Sequence, residues 1–232
     1  MAGTTTDRDR EERIIIAMNM KHIFLSALVA ATPIIAGAQV VAETPSKEIK
    51  IGKAEVVSLA IAPKGDRVLI GTDNGAELYD LESGKKIHSF AFEEDGSKTV
   101  YHTGFNENGE YALLIGHTGK RQVWDVKSGK QDKVLAPHKW IPDPRSVKAM
   151  GFDMKNSAFD RFYQQMEAEH DGYTFRAVKD GAIEIVDAEG EVVRTIEFPG
   201  NKDQHHRAPL LIYDGQLITG TDDGRVLFYD LL

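Results

Sequence analysis

The feature that most constrains this chain is a motif that returns four times. Asp80, Asp125, Asp187 and Asp230 each close a unit of short apolar runs broken by turn residues. They lie 45, 62 and 43 residues apart, a period of about 44 with one insertion. Ser58–Lys85 aligns with Thr103–Lys130, and weaker copies run from Val178 to Val193 and from Leu217 to Asp230. A repeat of this length is one supersecondary unit that cannot bury both of its faces alone, so successive copies must stack.

Within a unit the apolar residues alternate at period two, the signature of short antiparallel strands. Lys64-Gly65-Asp66 and Asn108-Gly109 divide the first strand from the second. Asp73-Asn74-Gly75, Asp180-Gly181 and Asp222-Asp223-Gly224 divide the second from the third. Glu82-Ser83-Gly84, Lys127-Ser128-Gly129 and Ala188-Glu189-Gly190 divide the third from the fourth. Each unit is therefore a four-stranded meander, and radial stacking of meanders gives a β-propeller. The last unit ends with strand three, Arg225–Leu231, which leaves it short of an outer strand. Lys47-Glu48-Ile49-Lys50-Ile51 has the alternation to supply that strand, pairing the two ends of the domain in one blade and covering an open edge. The expected fold is all-β: a propeller of about four four-stranded blades, closed by an N-terminal strand. The alternative is a half-ring completed by another chain.

Val123-Trp124-Asp125 resembles the blade-ending signature of the WD40 family, and Leu78-Tyr79-Asp80, Ile185-Val186-Asp187 and Phe228-Tyr229-Asp230 resemble degenerate versions of it. The resemblance covers about Ser46–Leu232 and implies that inter-blade connections share one face with the second-to-third turns. Gly116-His117 resembles the family's Gly-His dipeptide but falls in a second-to-third turn, whereas His102 and His206 stand before first strands.

The insertion between Asp125 and Asp187 holds Phe159, Phe162, Tyr163, Met166 and His170 at helical spacing, with Asn156 or Ser157 as cap. This predicts one short helical insertion over about 156–171, joining strands one and two of the third unit. Its aromatic and Met face either packs on the propeller rim or binds a partner, with Phe162 and Met166 as anchors and a homodimer as one form of that contact.

The predicted loop face gathers His102, His117, His138, His205 and His206 beside Asp73, Asp180, Asp222 and Asp223. Aspartate and threonine in such turns ordinarily cap their own backbone amides. The competing reading is a divalent-metal or acid–base site. No His-x-x-x-His pair supports a metal, so no metal and no cofactor are expected. Ala136–Arg145 surrounds Trp140 with Pro137, Pro142 and Pro144, which lowers the entropy cost of presenting an aromatic anchor. Trp140, His138, Arg145, His205, His206 and Arg207 are therefore the expected partner-contacting residues.

Composition narrows the chemistry. The 232 residues contain no cysteine, which excludes disulfides, Cys-ligated metals and a thiol nucleophile. A formal charge of -8 argues against nucleic acid, whose binding needs clustered Lys/Arg. No Gly-x-Ser-x-Gly, P-loop, dinucleotide or calcium-loop pattern occurs.

Lys21-His22 precede the apolar run Ile23–Ile35, and Ala36-Gly37-Ala38 follows it. This resembles a secretory signal peptide, too short to span a bilayer, with cleavage expected before Gln39 and Val40-Val41-Ala42 as a second small-residue site. The mixed-charge segment Met1–Ala17 lies upstream, so translation is expected to start at Met18 or Met20. The expected layout is residues 1–38 as upstream segment and signal, and 39–232 as one propeller domain without a transmembrane segment. The expected function is a periplasmic or secreted, non-catalytic platform or assembly scaffold for a protein or peptide. The alternative is a small-ligand or metal-dependent enzyme using the His/Asp loops.

Overall fold

A computed structural model describes residues 40–133, 166–198 and 208–232, within the folded unit Gln39–Leu232. Among these residues sixteen strands form four four-stranded antiparallel sheets, the blades of an all-β propeller. Blade 1 comprises β2 (Val56–Ile61), β3 (Arg67–Thr72), β4 (Gly75–Asp80) and β5 (Lys86–Phe90). Blade 2 comprises β6 (His102–Phe105), β7 (Tyr111–Ile115), β8 (Arg121–Asp125) and β9 (Gln131–Asp132). Blade 3 comprises β10 (Glu167–His170), β11 (Tyr173–Ala177), β12 (Ile183–Val186) and β13 (Val192–Ile196). Blade 4 has the order β1-β16-β15-β14, built from β14 (Leu210–Tyr213), β15 (Gln216–Gly220), β16 (Arg225–Asp230) and β1 (Lys47–Lys50).

Blade 4 is thus completed by the N-terminal strand, as the unpaired edge of Arg225–Leu231 requires. The register aligns Lys47 with Phe228 and Lys50 with Arg225. Lys47 reaches further, donating to the carbonyls of Leu81 and Glu82 in blade 1 while its ammonium lies 5.4 Å from the centre of the Phe228 ring. One side chain therefore ties the closing strand to the neighbouring blade as well as to its own.

The repeated aspartates have a common job. Asp80 Oδ1 accepts from the Ser83 amide at 2.7 Å, Asp125 Oδ1 from the Ser128 amide at 2.6 Å, and Asp187 Oδ1 from the Glu191 amide at 2.8 Å. Each caps the turn that leads to the outermost strand. The Asp230 carboxylate accepts instead from Ser46 Oγ at 2.9 Å and Gln216 Nε2 at 2.7 Å. The side-chain bond from Ser83 holds the Asp80 carboxyl below the ordinary carboxylate range, and those from Gln216 and Ser46 do the same for Asp230.

Alternating residues of each strand fill the seams between blades. Leu69, Leu78 and Phe90 of blade 1 meet Ala112, Leu114 and Trp124 of blade 2, with the Phe90 and Trp124 rings 5.1 Å apart. The opposite face of blade 1, including Leu59, Val68 and Ile70, meets Ile49, Ile218 and Phe228 of blade 4. The other face of blade 4, through Leu217, Leu227 and Tyr229, meets Phe175, Ile183 and Ile185 of blade 3. On the far side of blade 3 the cross-strand row Glu167, Arg176 and Glu184 is polar, with Arg176 Nε donating to Glu184 Oε2 at 3.1 Å.

The insertion departs from its expected form in two ways. It precedes the first strand of blade 3, where the sequence pattern placed it between strands one and two, and Glu167–His170 is a strand paired with β11 where a helix to residue 171 was expected. The reason is local. Asp171-Gly172, at φ values of 47° and 81°, forms a two-residue hairpin turn, and Met166 and Ala168 alternate toward the core with Phe175 and Ala177. Residues 156–165 of the expected helix lie outside the described residues.

Candidate functional site

The loop face is organised by Glu94. Asp95 and Gly96, both at positive φ, turn the connection between blades 1 and 2 back on itself, so that Glu94 and Ser97 exchange backbone hydrogen bonds of 2.7 and 2.8 Å. This connection is laced to blade 1 by Lys98 O, which accepts from the Gly75 amide at 2.9 Å, and by Val100 O, which accepts from Ser58 Oγ at 3.0 Å. The Glu94 side chain, only 1% exposed, then crosses to the second-to-third turn of blade 2. There it accepts from the amides of Thr118 at 3.1 Å and Lys120 at 2.9 Å, and from the Thr118 hydroxyl. His117 Nδ1 stands 3.2 Å from Oε2, the oxygen that also accepts from the Thr118 amide, and the Tyr101 ring meets His117 edge-on.

Burial pushes the Glu94 carboxyl up, but the hydrogen bonds from Thr118 and Lys120, with His117 nearby, outweigh it and hold the group ionised below the usual range. A Cβ added at Gly116 would lie 2.0 Å from Glu94 Oε2, so glycine there is a condition of the brace. In this turn Gly116-His117 serves the carboxylate of the preceding connection.

The same logic recurs where blade 4 hands over to blade 1. The Thr221 carbonyl accepts from the Val56 amide at 3.0 Å, and Asp73 Oδ1 accepts from the Glu55 amide at 3.1 Å. Burial and then repulsion from Glu55 raise the Asp73 carboxyl. Asp223 accepts from Thr221 Oγ1 at 2.5 Å and Arg225 Nε at 2.8 Å. Burial raises the Asp223 carboxyl, and the bonds from Arg225 and Thr221 more than offset this and lower it. Among the described residues no group of three His, Asp or Glu side chains has the arrangement of a metal site.

Of the expected partner-contacting residues, His138, Trp140, Arg145, Phe162, His205, His206 and Arg207 lie outside the described residues. Met166 is described and is 7% exposed, packed in the core between blades 3 and 4. Its place as an exposed anchor is therefore corrected: it sits directly before a core-facing strand, and its carbonyl accepts from the Ala177 amide at 2.8 Å.

The opposite end of the propeller holds a cleft that the sequence pattern did not single out. It lies between blades 1 and 2, has a volume of about 710 Å³, and is lined by the first-to-second and third-to-fourth turns. Lys64, Arg67 and Lys127 share it with Glu110, Tyr111 and His88. Its walls follow from repeat geometry, since both kinds of turn fall at the same end of a meander, but its chemistry depends on turn positions that vary between units.

No family model and no curated protein matches this sequence. Solved structures similar to it include the computationally designed Ika8 protein, at 16% identity and a TM-score of 0.28 over 76% of this chain and 46% of that one. Also similar are U3-55K, at 11% identity and a TM-score of 0.34 over 82% and 55%, and the RRP9 WD40 repeats, at 12% and 0.35 over 77% and 52%. The chain spans about half the length of these proteins.

Proposed function

We propose that this chain is an exported WD40-like propeller that serves as a non-catalytic platform for a protein or peptide partner, contacted on the loop face. The observation that carries the reading is how the described ionisable groups of that face are used. Glu94, Asp73 and Asp223 each accept hydrogen bonds from the backbone or side chains of neighbouring turns, and so they stiffen the loops. A rigid loop cluster suits recognition, because little ordering entropy is lost when a partner docks. Trp140, His138, Arg145, His205, His206 and Arg207 are the proposed contacts. Export rests on the apolar run Ile23–Ile35 and the small residues Ala36-Gly37-Ala38.

The test is affinity capture from the cell-envelope fraction with the wild-type chain, Trp140→Ala, and a cleft variant, Lys64→Glu with Lys127→Glu. Loss of a specific partner with Trp140→Ala alone supports the loop face. Loss with the cleft variant alone moves the site to the opposite end, and the same proteins captured by all three chains would sink the proposal.

A further inference from the structure

We infer that the mature chain begins at Gln39, so that the Ala38–Gln39 peptide bond is the one hydrolysed on export and the Ala42–Glu43 bond is left intact. The inference rests on the export reading above. The sequence offers both sites, because Ala36 and Ala38 on one hand and Val40 and Ala42 on the other place small or short side chains where a signal peptidase needs them. The fold separates them.

Residues 40–42 are part of the propeller. Val41 is 0% exposed and Val40 is 6% exposed, both in the core where blades 3 and 4 meet, among Phe175, Ile185, Leu217 and Tyr229. Val41 forms an antiparallel bridge with Leu231. The Ala42 amide donates to Asp230 O at 2.8 Å, and the Leu232 amide donates to Val40 O at 3.0 Å. From blade 3, the Arg194 guanidinium donates to Val41 O and, at 3.2 Å, to Ala42 O. Three residues thus extend the pairing of β16 beyond Asp230 and pin the last blade to its neighbour.

Cleavage after Ala42 would remove two buried valines from this seam and take away the acceptors of Arg194 and Leu232 together, against the rule that buried polar groups keep their partners. Cleavage after Ala38 removes none of these contacts. In that hydrolysis water adds its hydroxyl to the Ala38 carbonyl carbon and its proton to the Gln39 nitrogen. The new terminal glutamine can then close on its own side-chain amide with release of ammonia, so a cyclised Gln39 is the same processing product.

The full chain is produced in a host with an intact export pathway, and the extracytoplasmic product is read by intact mass and N-terminal peptide mapping. The expected terminus is Gln39, free or cyclised. A product that starts at Glu43 overturns the assignment while leaving export intact. An uncleaved chain retained in the cytosol overturns the export reading, and the assignment with it. A second arm makes Val41→Asp in the full chain: the expected result is a melting temperature lower by about 10 °C or more, from a charge placed in the seam. An unchanged melting temperature would remove the physical basis of the assignment.

Discussion

Glu94 is a buried carboxylate whose replacement should remove several hydrogen bonds between two blades at once. Replacing it with Gln keeps the shape but puts an amide NH2 in place of one carboxylate oxygen, facing either the Lys120 amide and Thr118 hydroxyl held by Oε1 or the Thr118 amide held by Oε2. Hydrogen bonds to a charged acceptor are worth about 1.5–3 kcal/mol each, and a buried donor left facing another donor costs about 1–3 kcal/mol. Because one oxygen survives as an acceptor, the expected loss for Glu94→Gln is about 3 kcal/mol. Glu94→Ala, which also leaves a cavity, should cost about 4 kcal/mol. For a domain of this length those losses correspond to melting temperatures lower by about 10 °C and 14 °C.

The pH dependence gives an independent reading. The carboxyl of Glu94 is held below its ordinary value in the folded chain. Its contribution is therefore fully present above the unfolded value, about 4.3, and is lost as pH falls through the folded value. Asp80, Asp125, Asp223 and Asp230 are shifted in the same direction, so the wild type should lose stability below about pH 5 through several groups. The diagnostic quantity is the difference between wild type and Glu94→Gln. It should be largest near neutral pH and shrink as pH falls below the unfolded value of about 4.3, measured by thermal denaturation on both sides of it. If Glu94→Gln melts with the wild type at pH 7, or if the gap between them does not narrow in acid, the brace is not the stabilising element described here.

Two further outcomes follow from positions the structure makes specific. Gly75 has φ of 97° and a Cβ there would stand 2.6 Å from Phe90 O, whereas Gly96 has φ of 84° with nothing within 4 Å. Gly75→Ala should cost about 3 kcal/mol against about 1 kcal/mol for Gly96→Ala, and equal melting temperatures would refute the close approach. Met166→Ser should destabilise the domain by about 3 kcal/mol in chemical denaturation, since it empties part of the core between blades 3 and 4. A variant as stable as wild type would return Met166 to the surface.

Much of the architecture is readable from the chain because a repeat with fixed turns leaves few alternatives. Gly75, Gly109, Gly129 and Gly224 all sit at positive φ in the turns where the pattern requires them, and the missing outer strand of the last unit implies the strand at Lys47–Lys50. Two features resist the same reading. Helical spacing of aromatic and Met residues ran into Glu167–His170, although Asp171-Gly172 with alternation on both sides was the stronger local signal for a hairpin. The brace at Glu94 was invisible because two of its partners are backbone amides of another blade, and a backbone amide leaves no trace in the residue pattern. His117 was legible as a loop histidine, but its service to Glu94 is set by the crossing of two connections in space.

The measurement that tests this account most directly uses the absence of cysteine. In the native chain Lys50 lies opposite Arg225 on paired strands of blade 4, a spacing compatible with a disulfide. Lys50→Cys with Arg225→Cys introduces the only two thiols in the protein. Under mild oxidation the account predicts near-complete intramolecular cross-linking in the folded state, seen as faster migration without reductant and as one linked peptide pair by mass spectrometry. The control pair, Lys50→Cys with Glu189→Cys in blade 3, should stay reduced. Absence of the first link, or equal linking of both pairs, would contradict a propeller whose last blade is completed by the N-terminal strand.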